Sequence, residues 1–188
     1  MKNILWILII LFFSGCTLKS VPLPKDGSAL LVIPQERILK HCKKGFAFFY
    51  TFTVEDSQGE EHYFKITPDT SKNFIVVDNL AAGNYKLVKR QGCLRVKAKT
   101  KDNCKSQKTQ RITFELKQNS ATFLGFVFKT VQEAKKNTRK GANVKARFTK
   151  LSKNDLNNYK QKFMILENSE NWKLIYLDYF FIRIPQKL

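Results

Sequence analysis

Few residues in this chain have the types and spacing that acid–base or metal chemistry requires. The 188 residues include two histidines and four cysteines, so ligands for a metal site are few. His41 and Cys42 are adjacent, but the cysteine spacing matches no zinc-binding pattern. The carboxylates of Asp26, Glu60 and Glu61 could act as general acids or bases only if the fold brought them together with His62 in a cleft. The sequence has no G-x-S-x-G, Walker or G-x-G-x-x-G motif. We therefore expect no catalytic residue, metal or cofactor.

Basic side chains are the most informative feature of the composition. The chain has 34 Lys and Arg against 15 Asp and Glu, a net charge of +19. Residues 86–111 carry ten basic side chains and one acidic, and residues 131–165 carry ten and two. Such asymmetry bears on partners rather than on the fold. The candidate polyanion-binding residues are Lys97, Lys99, Lys101, Lys105, Lys135, Lys136, Arg139 and Lys140. The alternative is a basic surface that is only solvated.

Alternating apolar and polar residues predict that β-strands position most of these side chains. Phe46, Phe48, Tyr50, Phe52 and Val54 have period 2 and would share one buried face. Short runs at intervals of about 8–12 residues, with turn residues between them, are typical of a sandwich or small barrel. The predicted strands cover 28–33, 45–54, 62–66, 73–77, 84–88, 94–98, 111–116, 123–131, 144–148, 172–176 and 177–188.

A single helix is predicted near the C-terminus. Ser152 followed by Asp155 is typical of a helix N-terminus. A helix that continues to about Phe163 would place Leu156, Tyr159 and Phe163 on one face. We therefore predict a mainly β protein, an antiparallel β-sandwich with a C-terminal α/β extension that contains one helix.

The first sixteen residues resemble the leader of a bacterial lipoprotein. After Lys2 come ten unbroken apolar residues, Ile4–Phe13, a run too short for a membrane-spanning helix. Phe13-Ser14-Gly15-Cys16 is similar to the lipobox of that family, which usually has Leu where Phe13 stands. The resemblance implies that Cys16 is acylated, that the chain is cut before it, and that the protein is anchored in the bacterial envelope. The residue after Cys16 is Thr17 rather than Asp, and by the sorting rule of that family this implies that the protein is anchored in the outer membrane of a Gram-negative cell.

Two alternatives to an acylated Cys16 are a secretory peptide with an incidental cysteine and an uncleaved anchor. The predicted organisation is a signal peptide at 1–15, a lipidated tether at 16–27, a β-sandwich at 28–131 and a basic α/β extension at 132–188.

An exported protein meets an oxidising compartment, in which disulfides persist. We favour a bridge between Cys93 and Cys104, which closes a Lys-rich loop of ten intervening residues. Another pairing, or no bridge, is the alternative.

One segment of the predicted sandwich resembles a known family. Leu80-Ala81-Ala82-Gly83-Asn84-Tyr85-Lys86-Leu87 is similar to the Leu-x-x-Gly-x-Tyr-x-Leu pattern of prealbumin-like and carboxypeptidase-regulatory-like sandwiches. Tyr85, two residues after a turn glycine, resembles a tyrosine corner, whose hydroxyl ties a loop to the sheet. Phe114-Glu115-Leu116 and Phe123-Leu124-Gly125 are similar to a later strand pair of small sandwich lipoproteins. The resemblance covers roughly residues 28–131 and implies binding or scaffolding rather than catalysis.

These observations predict a membrane-anchored envelope lipoprotein that serves as a non-enzymatic binding or structural module. Its basic face would contact anionic lipid, lipopolysaccharide or another envelope component, including a protein. Nucleic acid is the wrong partner for an exported, anchored protein. The alternative is a small envelope hydrolase or an enzyme inhibitor on the same anchor, although an inhibitor of basic lysozymes would be expected to be acidic.

Overall fold

The computed structural model of the protein describes residues 20–41, 48–94, 103–107, 112–134 and 142–177. Within these ranges the chain forms eleven strands, one α-helix and a 3₁₀ turn at Ser169–Asn171. In chain order the strands and the helix are β1 (Leu30–Lys40), β2 (Phe48–Glu55), β3 (Glu61–Ile66), β4 (Phe74–Val77), β5 (Gly83–Leu94), β6 (Asn103–Gln107), β7 (Thr113–Leu116), β8 (Ser120–Leu124), β9 (Phe126–Ala134), β10 (Ala142–Lys150), α1 (Lys153–Met164) and β11 (Lys173–Leu177). The predictions of a mainly β fold and of one helix near the C-terminus are confirmed.

The strands form two sheets that differ in the directions of their strands. The second sheet has the order β3-β2-β5-β6, with β7 also pairing with β5, and each of these pairs is antiparallel. The first sheet has the order β10-β9-β1-β8-β11, with β4 also pairing with β1. In it β1 runs parallel to β8 and β9, and β11 runs parallel to β8. The first sheet is therefore mixed rather than purely antiparallel, because β4 pairs with β1 and β10 pairs with β9 in the antiparallel direction.

Aromatic side chains fill the space between the two sheets. Phe48, Tyr50, Phe52 and Val54 are all buried, so the buried face predicted for β2 is confirmed for its described residues. The Phe52 ring stacks on that of Phe64, with centroids 5.4 Å apart. It also meets the ring of Phe128, from the first sheet, edge to face at 5.5 Å. Each such buried side chain contributes about 1.5–3 kcal/mol to folding.

Helix α1 packs on the opposite face of the first sheet and adds a third layer. Its N-terminus is capped as predicted, since the Ser152 hydroxyl accepts the Asp155 N–H at 3.1 Å. Phe163 is fully buried, and its ring lies 4.9 Å from that of Phe123 in β8. This outer core consists of Val21, Leu30, Val32, Phe74, Ala121, Phe123, Phe163 and Trp172.

A glycine separates two consecutive strands that both pair with β1. β8 ends at Leu124 and β9 begins at Phe126, so only Gly125 lies between them. The Gly125 carbonyl accepts the N–H of Leu151 at 3.0 Å, just after β10. A Cβ atom at Gly125 would lie 2.9 Å from the carbonyl oxygen of Leu177, at the end of β11. Glycine is required here because backbone from two other strands converges on it.

The predicted boundary between residues 131 and 132 falls inside β9. β10 and β11 complete the first sheet, and α1 covers it. The described part of the predicted extension is therefore part of the same folded unit, because strand pairing continues across that boundary. In the described ranges, no helix has the length and apolar character needed to cross a membrane.

Candidate functional site

Most of the predicted site residues lie outside the described ranges, namely Cys16, Lys97, Lys99, Lys101, Lys135, Lys136, Arg139 and Lys140. Lys105 is described, and it is exposed on β6. His41 is exposed directly after β1 with a positive φ of 56°, whereas its neighbour Cys42 is outside the described ranges.

A disulfide joins Cys93 and Cys104, the pair that the sequence analysis favoured. The two residues lie directly opposite each other in the β5–β6 pair, with Cα atoms 4.0 Å apart. Cys93 is buried and Cys104 is exposed. The bridge fixes the two strand ends from which the Lys-rich segment 95–102 departs.

Six strand ends meet at one end of the sandwich, which we call the basic end: Lys40, Phe48, Leu94, Asn103, Ala134 and Ala142. In the second sheet Phe48 is in register with Leu94, and Leu94 with Asn103. In the first sheet Lys40 is in register with Glu133, and Ala134 with Ala142. The Arg37 guanidinium lies 4.9 Å from the centre of the Phe48 ring, so the two sheets meet here.

The segments that begin and finish at the basic end carry most of the predicted polyanion-binding residues. Residues 42–47, 95–102 and 135–141 contain ten basic side chains and one acidic, Asp102. Residues 95–102 and 135–141, which belong to the two basic sequence windows and are far apart in the chain, therefore begin and finish at one end of the fold. Arg90 adds a link between the sheets nearby, since its Nη1 donates to the Ala146 carbonyl at 3.4 Å. Burial lowers the pKa of this guanidinium.

One cluster of potential metal ligands occurs among the described residues. Asp56, Glu60 and His62 bring ligand atoms within 4.8 Å of one another at the turn between β2 and β3. His62 Nε2 lies 2.7 Å from Asp56 Oδ2, and Asp56 Oδ1 accepts the N–H groups of Gln58 and Glu60 at 2.9 Å each. The hydrogen bond with His62 is the main cause of the lowered pKa of Asp56. The sequence analysis proposed Glu60 and His62 but did not include Asp56.

The other proposed carboxylates do not join this cluster. Asp26 is exposed in the turn before β1, and the Glu61 carboxylate accepts the Tyr63 hydroxyl at 2.6 Å. A carboxylate–imidazole pair can act as a general base or help to hold a divalent cation. Here both Asp56 oxygens already have partners within the turn. The contacts therefore account for a rigid hairpin, with Gly59 at a φ of 85° completing it.

A pocket of about 390 Å³ lies beside the same turn, and Asp56 is part of its wall. The charged residues that line it are three carboxylates and one lysine: Glu55, Asp56, Glu115 and Lys86. Tyr85 also lines it, and its hydroxyl donates to the Ala81 carbonyl at 3.0 Å. That bond is the one expected of a tyrosine corner, and burial raises the pKa of Tyr85. The charge of the walls favours a cation over an anion.

The N-terminal segment at Val21 and Pro22 is docked on the turn that follows α1. Val21 is buried, its N–H donates to the Glu167 carbonyl at 3.0 Å, and its own carbonyl accepts Asn168 Nδ2 at 3.2 Å. The Trp172 indole N–H donates to the Pro22 carbonyl at 2.7 Å. The predicted tether is therefore fixed to the fold from Val21 onward. The sequence held one signal of this docking, which is that Val21 is an apolar residue next to Ser20 and Pro22.

Comparisons of the chain with protein-family models, with curated proteins and with solved structures found no match.

Proposed function

We propose that this protein is a lipid-anchored, non-enzymatic lipoprotein of the bacterial envelope, attached through Cys16. The observation that carries the proposal is the lipobox-like Phe13-Ser14-Gly15-Cys16 directly after ten apolar residues. In lipoproteins the cysteine receives a diacylglyceryl group, and two or more acyl chains hold a protein firmly on a membrane. With Thr17 next to the cysteine, the anchor would lie in the outer membrane of a Gram-negative cell.

The disulfide supports an exported location. Bridges such as Cys93–Cys104 persist in oxidising compartments and are rare where thiols are kept reduced. The leader and the disulfide therefore both favour a location outside the cytoplasm.

Metabolic labelling with a clickable fatty acid tests the anchor. We expect the full chain to be labelled in a bacterial host and the Cys16→Ser variant to lose the label. Cys42→Ser is the matched control and should keep it. A label that survives in Cys16→Ser would contradict the proposal, and so would an unlabelled wild type that stays in the soluble fraction.

The basic end is the part of the module that we propose binds anionic envelope components. Ten basic side chains against one acidic belong to the three segments that depart from this end. Each Lys or Arg close to an anionic surface contributes about 1 kcal/mol of attraction, and salt screens that attraction. Lipopolysaccharide, anionic lipid and acidic polymers share the phosphate or carboxylate chemistry that this end would recognise.

Two triple variants with equal loss of charge test the basic end. Lys97→Gln/Lys99→Gln/Lys101→Gln removes three charges from it, and Lys153→Gln/Lys160→Gln/Lys162→Gln removes three from α1. In titrations with lipopolysaccharide we expect the first variant to lose affinity on the order of a hundredfold at low salt. The α1 variant should lose little. Equal losses, or binding that does not change between low and high salt, would contradict the assignment.

The alternative, a small envelope hydrolase, has one observation in its favour, which is the Asp56–His62 pair beside a pocket. We place it second because Asp56 is already bonded on both oxygens within the turn. If envelope extracts contained a substrate that the wild type hydrolyses and His62→Asn does not, the order of the two proposals would reverse.

A further inference from the structure

Strongly exposed apolar side chains are few in the described part of the chain, and most of them are close in sequence to the two segments that meet where Val21 is docked. Four large apolar side chains there are more than half exposed: Leu23 at 60%, Tyr63 at 56%, Met164 at 58% and Ile165 at 74%. Leu23 is two residues from Val21. Ile165 is two residues from Glu167, whose carbonyl accepts the Val21 N–H. Three of the four therefore lie within three residues, along the chain, of the groups that make this contact, and Tyr63 lies on β3 of the other sheet.

The docked segment also limits how far the body can move from an anchor. Cys16 precedes Val21 by five residues, and a fully extended chain of that length spans at most roughly 17 Å. Val21 cannot extend this reach while Glu167, Asn168 and Trp172 hold it and its neighbour Pro22. An acylated Cys16 would therefore keep this side of the molecule close to the bilayer surface.

We propose that Leu23, Met164 and Ile165 form a membrane-contact surface that inserts into the outer part of the lipid layer in which Cys16 is anchored. The inference rests on the proposed lipid anchor and adds the orientation of the folded body. Clusters of exposed apolar side chains mark interaction surfaces, whereas single ones need no explanation. The occupant is lipid because the chain that leaves Val21 leads within five residues to the acylated cysteine.

Charge around this surface supports apolar insertion rather than electrostatic attraction. The ionisable side chains of α1 and of the turn after it comprise three lysines, one aspartate and two glutamates: Lys153, Lys160, Lys162, Asp155, Glu167 and Glu170. Lys25 and Asp26 on the N-terminal side cancel as well. The surface is thus nearly neutral, in contrast to the basic end. Val32 in β1 is in register with Phe123, which packs under α1. From Val32 to Lys40, the β1 residue at the basic end, the strand spans about 25 Å.

Photo-crosslinking in the host membrane tests the orientation. The full chain carries a photoreactive phenylalanine analogue in place of Leu23, Ile165 or, as the matched control, Tyr63, and the host phospholipids are radiolabelled. We expect positions 23 and 165 to take up on the order of tenfold more labelled phospholipid than position 63, because only an inserted face reaches the acyl boundary. The transfer should persist after a wash at high salt.

The same samples are labelled with the fatty-acid probe, so that two kinds of failure can be told apart. If the protein is acylated but positions 23 and 165 crosslink no more than position 63, the membrane-contact surface is wrong while the anchor stands. If the wild type carries no acyl label, the proposed function fails, and the orientation fails with it. Crosslinks from 23 and 165 to a protein in place of lipid would also overturn the inference.

Discussion

At the scale of single residues, the Asp56–His62 pair links the stability of the fold to pH through the Asp56 carboxylate. The hydrogen bond with His62 holds the pKa of Asp56 below its ordinary value of 3.8. A carboxyl group whose pKa is lowered by folding stabilises the fold above its unfolded pKa. That contribution disappears as the pH falls through the folded pKa.

Replacing His62 by Asn should raise the pKa of Asp56, because the largest cause of its lowering is removed. The backbone N–H groups of Gln58 and Glu60 still favour the carboxylate, so part of the shift should remain. Carboxyl-carbon NMR titration measures this value directly. Glu61→Gln is the control, since Glu61 bonds Tyr63 and not Asp56. A pKa of Asp56 that is the same in His62→Asn and in the wild type would contradict the interpretation.

Tyr85→Phe should destabilise the protein by about 1 kcal/mol, because the carbonyl of Ala81 loses its hydroxyl partner. Tyr63→Phe removes an even shorter hydroxyl bond, but on an exposed side chain, and should change stability by less than about 0.5 kcal/mol. Urea unfolding of both variants gives the comparison. Equal losses would show that the Tyr85 hydroxyl does not hold the turn.

At the scale of elements, the β5–β6 pair depends on its disulfide more than on packing. β6 has the sequence NCKSQ, and residues 104–106 are exposed. We expect Cys93→Ala/Cys104→Ala to lose roughly 2–3 kcal/mol, the chain-entropy value for a loop of this size. A reducing agent should lower the Tm of the wild type and leave that of the variant unchanged. A wild type that is insensitive to reduction would contradict this.

Among the residues of helix α1, Phe163 is the one that is buried against the first sheet. Phe163 is fully buried among Phe74 and Phe123, so Phe163→Ala should destabilise by about 3–5 kcal/mol. The neighbouring Met164→Ala should have an effect below about 0.5 kcal/mol, because Met164 is exposed. Denaturant unfolding of the two variants measures the loss of stability in each. A small effect of Phe163→Ala would mean that α1 is not an integral layer.

The elements with a strong local pattern were predictable, and those placed by distant contacts were not. The alternation in β2 and the Ser152–Asp155 cap are local signals, and both are confirmed. β1 continues beyond the predicted end at residue 33 because Pro34 pairs with Phe74 and Gln35 donates to Asn73. The polar residues that follow Ile33 have no local pattern that predicts this pairing. The same holds for β6, and for the parallel partners of β1.

The candidate site shows the same division. The basic windows and the favoured disulfide could be predicted because residue type and spacing carry them. That residues 95–102 and 135–141 begin and finish at one end follows only from strand register, as in the pairings of Leu94 with Asn103 and of Ala134 with Ala142. The bond between Asp56 and His62 likewise needed the β2–β3 hairpin to bring the two together.

At the scale of the whole molecule, repulsion among basic groups should make stability depend on salt. The net charge is +19, while the described residues form few ion pairs between lysine and glutamate. Screening should therefore remove more repulsion than attraction. If the gain is about 1 kcal/mol, the Tm should rise by about 2–4 °C from low to moderate salt. A Tm that falls over this range, followed by circular dichroism, would contradict the expectation.

The central position of β1 has a consequence for how the molecule is made. Ribosomes synthesise the amino end first, so Leu30–Ile33 appears long before β8 and β9, its neighbours in the sheet. At about 5–20 residues per second, the interval from Lys40 to Ala134 is roughly 5–20 s. During it these apolar residues have no parallel partners and are open to chaperones. The nascent polypeptide therefore cannot pair β1 fully with β9 until nearly three quarters of its length exists, and the first sheet is complete only when β11 has been made.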